Sequence, residues 1–211
     1  MASDNRRVVV LHALGESPAN WDDLAGMLRG KGWEPIVPSL FDPALLKDGW
    51  TIEKAADYVA TAIGSEPAHV VGHSLGSVVA LQLAIRHPEL VTSLFVNAPQ
   101  AKPPKAIMRL QSVLMKVLPA RLTCPPGITK ADLLAILREV TEMNIEPSLP
   151  RISVPTTVLC GTKDRPNLGS ARTVAQSIPG AQLKIIDGGT HQLPHEMAEI
   201  FRGHLMEHLP K

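Results

Sequence analysis

A serine with a glycine two residues to either side lies where an apolar run changes into a helical pattern. Ser74 follows the short apolar segment Ala68–Val71, and from Leu75 onward the apolar residues fill most of a helix. A direct turn from a buried strand into a helix strains the backbone of the corner residue, and Gly72 and Gly76 remove the side chains that would collide there. A chance match in a glycine-bearing loop is the alternative. The strand–turn–helix context favours a nucleophile elbow, which presents the serine hydroxyl at the carboxyl edge of a sheet.

The chain must supply a base, because a serine hydroxyl is a weak nucleophile at neutral pH. His191 follows a predicted strand in the turn Gly188-Gly189-Thr190, which is flexible enough to carry an imidazole over the sheet edge. His195 is the alternative, four residues further on. A pair with this spacing can bind metal on a helix, but a proline precedes His195 and no third ligand is apparent. We therefore expect no metal site, and we place His195 at the start of the final helix.

An acidic residue must orient this base, and Asp164 has the best position for it. It comes a few residues after the predicted strand Thr156–Cys160, in a loop on the same sheet edge as Ser74. A turn or helix-capping role is the commoner use of aspartate in such a loop. Asp187 is too near His191 in sequence to approach the imidazole easily, and the amide of Asn97 cannot supply the charge. We predict that Asp164 is the acid.

Strands alternate with helices along the chain, which predicts an α/β fold: a mostly parallel sheet of about six strands with helices on both faces. We expect residues 1–211 to form a single domain. The predicted strands are Arg7–Leu11, Trp33–Val37, Ala68–Val71, Val91–Val96, Thr156–Cys160 and Gln182–Ile186, and the predicted helices include Pro18–Arg29 with Ser17 as N-cap, Ile52–Ile63, the helix after the elbow, Gly169–Ser177 and Glu196–Glu207.

The segment from about 100 to 151 breaks this alternation. It contains many prolines and no convincing strand, but it includes helical patterns over 106–118 and 132–143. An insertion after the carboxyl end of a strand can cover what lies on that edge, so we predict a short helical cap, or lid. An ordinary helical crossover with an irregular loop is the alternative.

The first cap helix carries more apolar residues than one stripe of a surface helix needs. We expect part of this surface to pack on the core and the remainder, including Met108 and Met115, to line a pocket above Ser74, because methionine adapts to apolar groups of different shape. Arg109 and Lys116 share one face, which we expect to be solvated. A short cap of this kind predicts an uncharged, mainly apolar acyl or alcohol group of modest size. A helix that belongs wholly to the core is the alternative. The apolar residues of the first cap helix are Ile107, Met108, Leu110, Val113, Leu114, Met115, Val117 and Leu118.

Composition excludes several classes of protein. The 211 residues are 45% hydrophobic, which suffices for one buried core. With 21 Lys and Arg against 20 Asp and Glu, there is no electrostatic reason to expect nucleic acid or an anionic membrane as a partner. The N-terminal sequence lacks the apolar region of a secretory signal. We expect the two cysteines, Cys124 and Cys160, to be reduced thiols. We expect a cytoplasmic protein with a small-molecule substrate and no cofactor; the sequence does not predict its oligomeric state.

The chain order Ser74, Asp164, His191 resembles that of the α/β-hydrolase superfamily. The segment Val8–Ser17, followed by a tryptophan, looks like the apolar strand and "HG" turn of that superfamily. Gly72–Gly76 is similar to its elbow, and the segments Gly161–Asp164 and Gly188–His191 are similar to its acid and histidine loops. The resemblance runs from about residue 7 to the C-terminus and is that of a compact, esterase-like member. The 100–151 segment matches only in position, as a cap usually does.

The resemblance implies a catalytic triad of Ser74, Asp164 and His191. It also implies an oxyanion hole formed by the backbone N–H groups of Leu14 and Leu75. The superfamily usually has glycine where this chain has Ala13, so the first oxyanion turn carries an extra methyl group.

We expect the substrate pocket to include His12, Met108 and Met115. His12 and His73 both lie beside turns near the site, where a structural hydrogen bond is the other role that we consider for them.

The implied activity is hydrolysis of a small-to-medium, mainly apolar carboxylic ester or thioester through an acyl-enzyme on Ser74. Carbon–carbon bond hydrolysis, perhydrolysis and a non-catalytic ligand-binding role are the alternatives that the same fold leaves open.

Overall fold

A computed structural model describes residues 6–47, 49–125 and 127–211, without the side chains of 106, 107, 110 and 111. Its centre is a six-stranded sheet in the order β2-β1-β3-β4-β5-β6, in which every neighbouring pair of strands is parallel. The predicted α/β fold is thus confirmed. The strands are β1 (Arg7–Leu11), β2 (Glu34–Ile36), β3 (Ala68–His73), β4 (Val91–Asn97), β5 (Thr156–Gly161) and β6 (Gln182–Ile186).

Apolar side chains cover both faces of this sheet, as a parallel sheet requires. Val9 and Leu11 of β1 belong to the larger hydrophobic cluster, whereas Val8 and Val10 point to the opposite face and pack in the smaller one. Alternate residues of one strand therefore contribute to two cores, which explains why the predicted strands are continuous apolar runs.

Helices pack on the two faces. The described helices are α1 (Asp22–Gly30), α2 (Pro43–Leu46), α3 (Ile52–Ile63), α4 (Leu75–Arg86), α5 (Lys105–Val117), α6 (Ala120–Thr123), α7 (Lys130–Glu142), α8 (Arg165–Ser177), α9 (Leu193–Glu196) and α10 (Ala198–His208). The short helices α2 and α6 were not predicted from the sequence.

Three helical segments differ from the predicted ones, each for a local reason. Residues Pro18–Trp21 form a 3-10 turn before α1. Helix α8 begins at Arg165 rather than Gly169, because Pro166 fits the first turn of a helix. The final helical segment is divided into α9 and α10 at Met197, whose backbone is not helical.

The chain leaves β1 for β2 on one side and returns to β3 on the other, so the strand order reverses between β1 and β3. In open α/β sheets, ligands bind outside the carboxyl ends of the strands at such a reversal. The loop that carries Leu14 follows β1, and Ser74 follows β3. The topology thus brings the first oxyanion turn and the elbow to the same point.

The predicted cap segment contains α5, α6, α7 and a 3-10 segment at Glu146–Arg151, and its described residues include no strand. Helix α5 turns Met108 and Met115 toward the pocket described below. The expectation that its remaining apolar residues pack on the core or line a pocket is wrong for Val113, Leu114 and Val117, which are exposed to solvent. Arg109 and Lys116 are exposed, as expected.

The predictions for Ile107 and Leu110 concern side chains that lie outside the part of the chain described by the structure. In the part of the chain that the structure describes, no helix has the length and apolarity that crossing a membrane requires.

Candidate active site

The backbone at Ser74 is strained in the way the glycine pattern predicts. Ser74 has φ 53° and ψ −112°, between the end of β3 and the first residue of α4. A Cβ atom on Gly76 would lie 2.1 Å from the Leu11 carbonyl oxygen, and one on Gly72 would lie 2.6 Å from the Gly76 carbonyl oxygen. The Ser74 N–H donates to the Asn97 carbonyl oxygen at 2.9 Å. The turn is therefore held from both neighbouring strands, which is how a fold maintains a conformation that costs about 1–3 kcal/mol.

The structure brings Ser74, His191 and Asp164 together in a continuous hydrogen-bonded line. His191 Nε2 lies 3.1 Å from Ser74 Oγ, and its Nδ1 lies 2.8 Å from Asp164 Oδ2. The Asp164 side chain is 3% exposed, whereas that of His191 is 37% exposed. Chemically, this arrangement allows His191 to accept the serine proton while the buried carboxylate fixes the Nδ1–H tautomer.

Close backbone contact between two loops sets this geometry. A Cβ atom on Gly161, at the end of β5, would lie 2.0 Å from the Gly189 carbonyl oxygen in the histidine loop. The Lys163 N–H also donates to that oxygen, at 2.9 Å. The acid loop and the histidine loop are therefore packed against each other, which holds Asp164 and His191 in register.

Sequence reasoning missed Asn167 in the first turn of α8. Its Nδ2 donates to Asp164 Oδ1 at 2.7 Å, and its Oδ1 accepts from Gln100 Nε2 at 2.6 Å. Asp164 occupies the N-cap position of α8, but its side chain makes no capping hydrogen bond to the helix backbone and is directed to His191 and Asn167 instead. An asparagine three residues after the acid is the signal that could have identified this contact.

Leu14 and Leu75 both line the cavity above Ser74. Leu75 is the first residue of α4, where the N–H groups of a helix have no partner within the helix. Ala13 is buried beside Leu14 and is accommodated in the turn in place of the usual glycine. Leu14, Leu75 and Ser74 therefore line the same cavity.

His12 does not line the cavity, contrary to the sequence prediction. It is completely buried, its Nδ1 donates to the Ala13 carbonyl oxygen at 2.9 Å, and its Nε2 accepts from the Leu40 N–H at 3.0 Å. Burial lowers the pKa of this imidazole. The structural hydrogen bond, which was the alternative, is what the structure shows.

A second group of polar residues lies beside this line of three, and sequence reasoning missed its central member, Glu16. The Glu16 carboxylate is buried, with its Oε2 accepting from the Ala13 N–H at 2.9 Å and from Trp21 Nε1 at 3.0 Å. Its Oε1 lies 2.7 Å from His195 Nε2 and 3.6 Å from His73 Nε2. The His73 ring lies 5.0 Å from the His191 ring, centroid to centroid. The two groups are therefore in contact through His73.

His73 and Glu16, the two buried members of this second group, differ in charge. Burial lowers the pKa of His73 to about 4, so this imidazole is neutral at neutral pH. Burial alone would raise the pKa of the Glu16 carboxyl, but His73, the Ala13 N–H and His195 together hold it below its ordinary value. Glu16 is therefore a buried negative charge next to the first oxyanion turn.

The cavity above Ser74 has a volume of about 520 Å³. One wall is apolar, and the opposite side carries polar groups of Asn20, Gln192 and His195. Among the described residues that line it there is no lysine or arginine. The apolar wall consists of Val78, Met108, Met115, Leu133, Leu137 and Val140.

Residues 8–203 match a family described as the alpha/beta hydrolase family. A protein of Stutzerimonas stutzeri (strain A1501), provisionally named carbamate hydrolase RutD, is 25% identical over 202 residues, covering 79% of this chain and 76% of that protein. A pimeloyl-(acyl-carrier protein) methyl ester esterase of Neisseria meningitidis serogroup C is 37% identical over 99 residues, covering 46% of this chain and 38% of that protein. Among solved structures, the enol-lactonase of Burkholderia xenovorans LB400 has a TM-score of 0.83 at 17% identity, covering 99% of this chain and 93% of that one.

Proposed function

This chain belongs to the alpha/beta hydrolase family, and from that premise we propose that it is a serine hydrolase. Its substrate is a small-to-medium, mainly apolar carboxylic ester or thioester, cleaved through an acyl-enzyme on Ser74. The observation that carries the proposal is the line from Ser74 Oγ through His191 to Asp164, with distances of 3.1 Å and 2.8 Å. Nucleophile, base and orienting acid are within hydrogen-bond reach of one another without any movement of the chain.

In the first half of the reaction, Ser74 Oγ attacks the carbonyl carbon of the substrate while its proton passes to His191 Nε2. The Asp164 carboxylate stabilises the imidazolium that forms. The carbonyl oxygen becomes an oxyanion that accepts hydrogen bonds from the Leu14 and Leu75 N–H groups. The carbon–oxygen or carbon–sulfur bond then breaks, and His191 returns the proton to the departing alcohol or thiol.

In the second half, water replaces the departed group. His191 accepts a proton from the water as its oxygen attacks the acyl carbon, and the bond to Ser74 Oγ breaks with return of that proton to the serine. The carboxylic acid leaves, and the enzyme recovers its starting state. All atoms and protons of the cycle are supplied by substrate, water and these residues.

The cavity supports the substrate class. A volume of about 520 Å³ lies in the usual range for small-molecule pockets. Its apolar wall suits an aliphatic group, and its described lining offers no lysine or arginine to pair with a carboxylate or phosphate. We therefore propose an uncharged substrate whose apolar portion lies against the methionines of the cap.

The names of the similar proteins agree with acyl transfer to water. A methyl ester esterase and an enol-lactonase each act on a carboxylic ester bond, and a carbamate is also cleaved at a carbonyl carbon. These names support the reaction type. Carbon–carbon bond hydrolysis, perhydrolysis and ligand binding without turnover are the competing proposals.

The test is labelling with a fluorophosphonate probe, which reacts only with an activated serine, followed by hydrolysis of p-nitrophenyl esters. We expect the wild-type protein to be labelled on Ser74 and to cleave short-to-medium esters. Ser74→Ala should abolish both while its thermal unfolding midpoint stays close to that of the wild type, because alanine fits the elbow. Labelling without ester cleavage would favour carbon–carbon chemistry or perhydrolysis, and the absence of labelling would leave ligand binding as the better proposal.

A further inference from the structure

Glu16 and His195 form a second carboxylate–imidazole pair in the same cavity as the proposed triad. Their atoms Oε1 and Nε2 are 2.7 Å apart, with the Glu16 side chain 7% exposed and that of His195 33% exposed. Both residues line the cavity above Ser74. In the portion of the chain described by the structure, no three His, Cys, Asp or Glu side chains are placed to hold a metal ion. The pair therefore needs a role of another kind.

Glu16 holds the turn that carries the Leu14 amide. Its backbone N–H donates to the Ala13 carbonyl oxygen at 3.2 Å, and its own Oε2 accepts from the Ala13 N–H at 2.9 Å. Leu14 follows Ala13 directly, so its amide direction depends on these two bonds together with the one that His12 Nδ1 donates to the Ala13 carbonyl oxygen. The remaining oxygen, Oε1, is the one that faces His195.

This arrangement places a buried carboxylate in direct contact with the turn whose Leu14 N–H donates to the oxyanion in the proposed mechanism. Like charges repel strongly in a site of low polarity, so an uncompensated Glu16 would oppose the transition state. A positive charge on a neighbouring group would remove this effect. Two imidazoles approach Glu16 Oε1, namely His73 and His195.

His73 cannot supply that charge. It is fully buried, and the Asn97 amide, with its Nδ2 2.9 Å away, donates to His73 Nδ1, which leaves the single ring proton on Nε2. Its pKa of about 4, lowered chiefly by burial, agrees with a neutral ring. His195 differs because its side chain is 33% exposed, so that solvent reaches this ring.

The charged and titratable groups around His195 come from several elements. Glu16 and His73 face it from the ends of the β1 and β3 segments, and His191 lines the same cavity. Asp23 of α1 and Arg202 of α10 line a cleft on its outer side. Of these, Glu16 alone is in hydrogen-bond contact with the His195 ring among the described residues.

We propose that protonated His195 neutralises Glu16 and thereby allows the Glu16-held turn to stabilise an oxyanion. Glu16 is a positioning residue that acts through the Ala13–Leu14 turn, and His195 is its charge partner. This inference rests on the proposed serine-hydrolase function and extends it: the enzyme has one imidazole for proton transfer and another for charge balance at the oxyanion side.

Three variants separate charge from hydrogen bonding. In E16Q the amide oxygen can accept both bonds made by Oε2, and the amide nitrogen faces His195, so the turn keeps its partners without the negative charge. In H195Q the amide can still donate to Glu16, but it carries no positive charge. The double variant E16Q/H195Q removes both charges. The rate of fluorophosphonate labelling of Ser74 and kcat and KM for one p-nitrophenyl ester are measured for all four proteins.

We expect H195Q to lower kcat and the labelling rate by about tenfold with little change in KM, because only the oxyanion interaction is affected. In the E16Q background, the same substitution should cost less than about threefold, since there is no negative charge left to neutralise. A pair that merely formed a structural hydrogen bond would not show this rescue. A loss below about threefold in the wild-type background, or an equal loss in both backgrounds, overturns the proposal.

The comparison of H195Q with the wild type also serves if E16Q fails to fold, because a labelling rate within about threefold of the wild type overturns the proposal by itself. If the wild type is not labelled at all, the serine-hydrolase function itself fails; normal labelling without rescue rejects only the charge-balance role.

Discussion

At the scale of single residues, Asp164 combines two demands that usually conflict. Its carboxylate is almost completely buried, yet it must remain charged to stabilise an imidazolium. Two hydrogen-bond donors approach the carboxylate, namely His191 Nδ1 at 2.8 Å and Asn167 Nδ2 at 2.7 Å. Asp164 also lies at the N-terminus of α8. The partly positive end of a helix favours a negative charge at this place.

Replacing that charge while keeping the shape is the sharpest test of the acid. In D164N we expect kcat to fall by roughly a thousandfold to ten-thousandfold, because the amide favours the wrong tautomer of His191 and does not stabilise its charged form. Kinetics on one activated ester measures the effect, with D187N as the matched control, since Asp187 lies on the same sheet edge but bonds to Thr162. A D164N enzyme with activity near that of the wild type, or a D187N enzyme that loses as much, contradicts the assignment.

The residues that sequence reasoning found and missed differ in how they act. Ser74 and His191 are marked by glycines on either side or just before them, because the backbone there must adopt special geometry. Glu16 acts through a side-chain contact with His195, far away in the chain, which no spacing rule describes. Asn167 differs, because it lies three residues after Asp164 and this spacing could have identified its contact. His12 was misplaced for a related reason: proximity to the turn is visible in the sequence, but the Leu40 amide that its ring binds is not.

At the scale of elements, the cap helix α5 has two apolar faces with different surroundings. Met108 and Met115 line the cavity, whereas Val113 and Val117 are 57% and 78% exposed. All four belong to the same helix of thirteen residues. This gives a matched pair of substitutions for testing what the cavity wall does.

We expect M108A/M115A to shift the preferred acyl length of p-nitrophenyl esters toward longer or bulkier chains, because two flexible side chains leave the wall of the cavity. V113A/V117A should leave the length profile unchanged, since exposed side chains of this kind contribute little beyond about 0.5 kcal/mol to stability and nothing to the wall. The measurement is kcat/KM from acetate to palmitate for the three proteins. Equal shifts in both double variants, or no shift in either, contradict the proposed pocket.

The central strands were more predictable than the cap because their environment is uniform. Strands β1, β3, β4 and β5 are almost entirely buried, so an apolar run is sufficient to identify them. The edge strands β2 and β6 are more exposed, but all six predicted strands are present. An apolar residue on α5 can face the core, a cavity or water, and periodicity alone does not distinguish among these. This is why the helix was predicted correctly while the surroundings of Val113, Leu114 and Val117 were not.

At the scale of the whole molecule, two polar networks border the smaller hydrophobic cluster, where His73 lies near Trp21 and His208 lies near Phe95. His73 lies on the site side of β3, and at the opposite end of the sheet His208 Nε2 bonds to Ser93 Oγ at 2.8 Å while His69 Nδ1 approaches the same oxygen at 2.7 Å. Burial lowers the pKa of both His73 and His208 to about 4. Folding therefore keeps two imidazoles neutral that would become charged in the unfolded chain below pH of about 6.5.

The sign of the resulting pH dependence follows from proton uptake on unfolding. Between pH of about 6.5 and 4, the unfolded chain binds protons at these histidines that the folded chain does not, so stability must fall as pH decreases through this window and level off below it. For His73 alone the loss at pH 5 is on the order of 2 kcal/mol, and His208 adds a contribution of the same sign. Carboxylates such as Glu16, whose pKa is lowered, lose their contribution only at still lower pH.

We expect the free energy of unfolding, measured with urea, to be lower at pH 5 than at pH 7.5 by about 2 kcal/mol or more. H208Q is the matched variant: glutamine can keep a hydrogen bond to Ser93 but does not titrate, so the difference between the two pH values should shrink relative to the wild type. His204 is half-buried on the same helix, where it contacts Glu207 and not Ser93, so H204Q is the control and should leave the difference unchanged. A stability that stays constant or increases from pH 7.5 to pH 5 would show that these imidazoles are protonated within the folded protein, contrary to their burial.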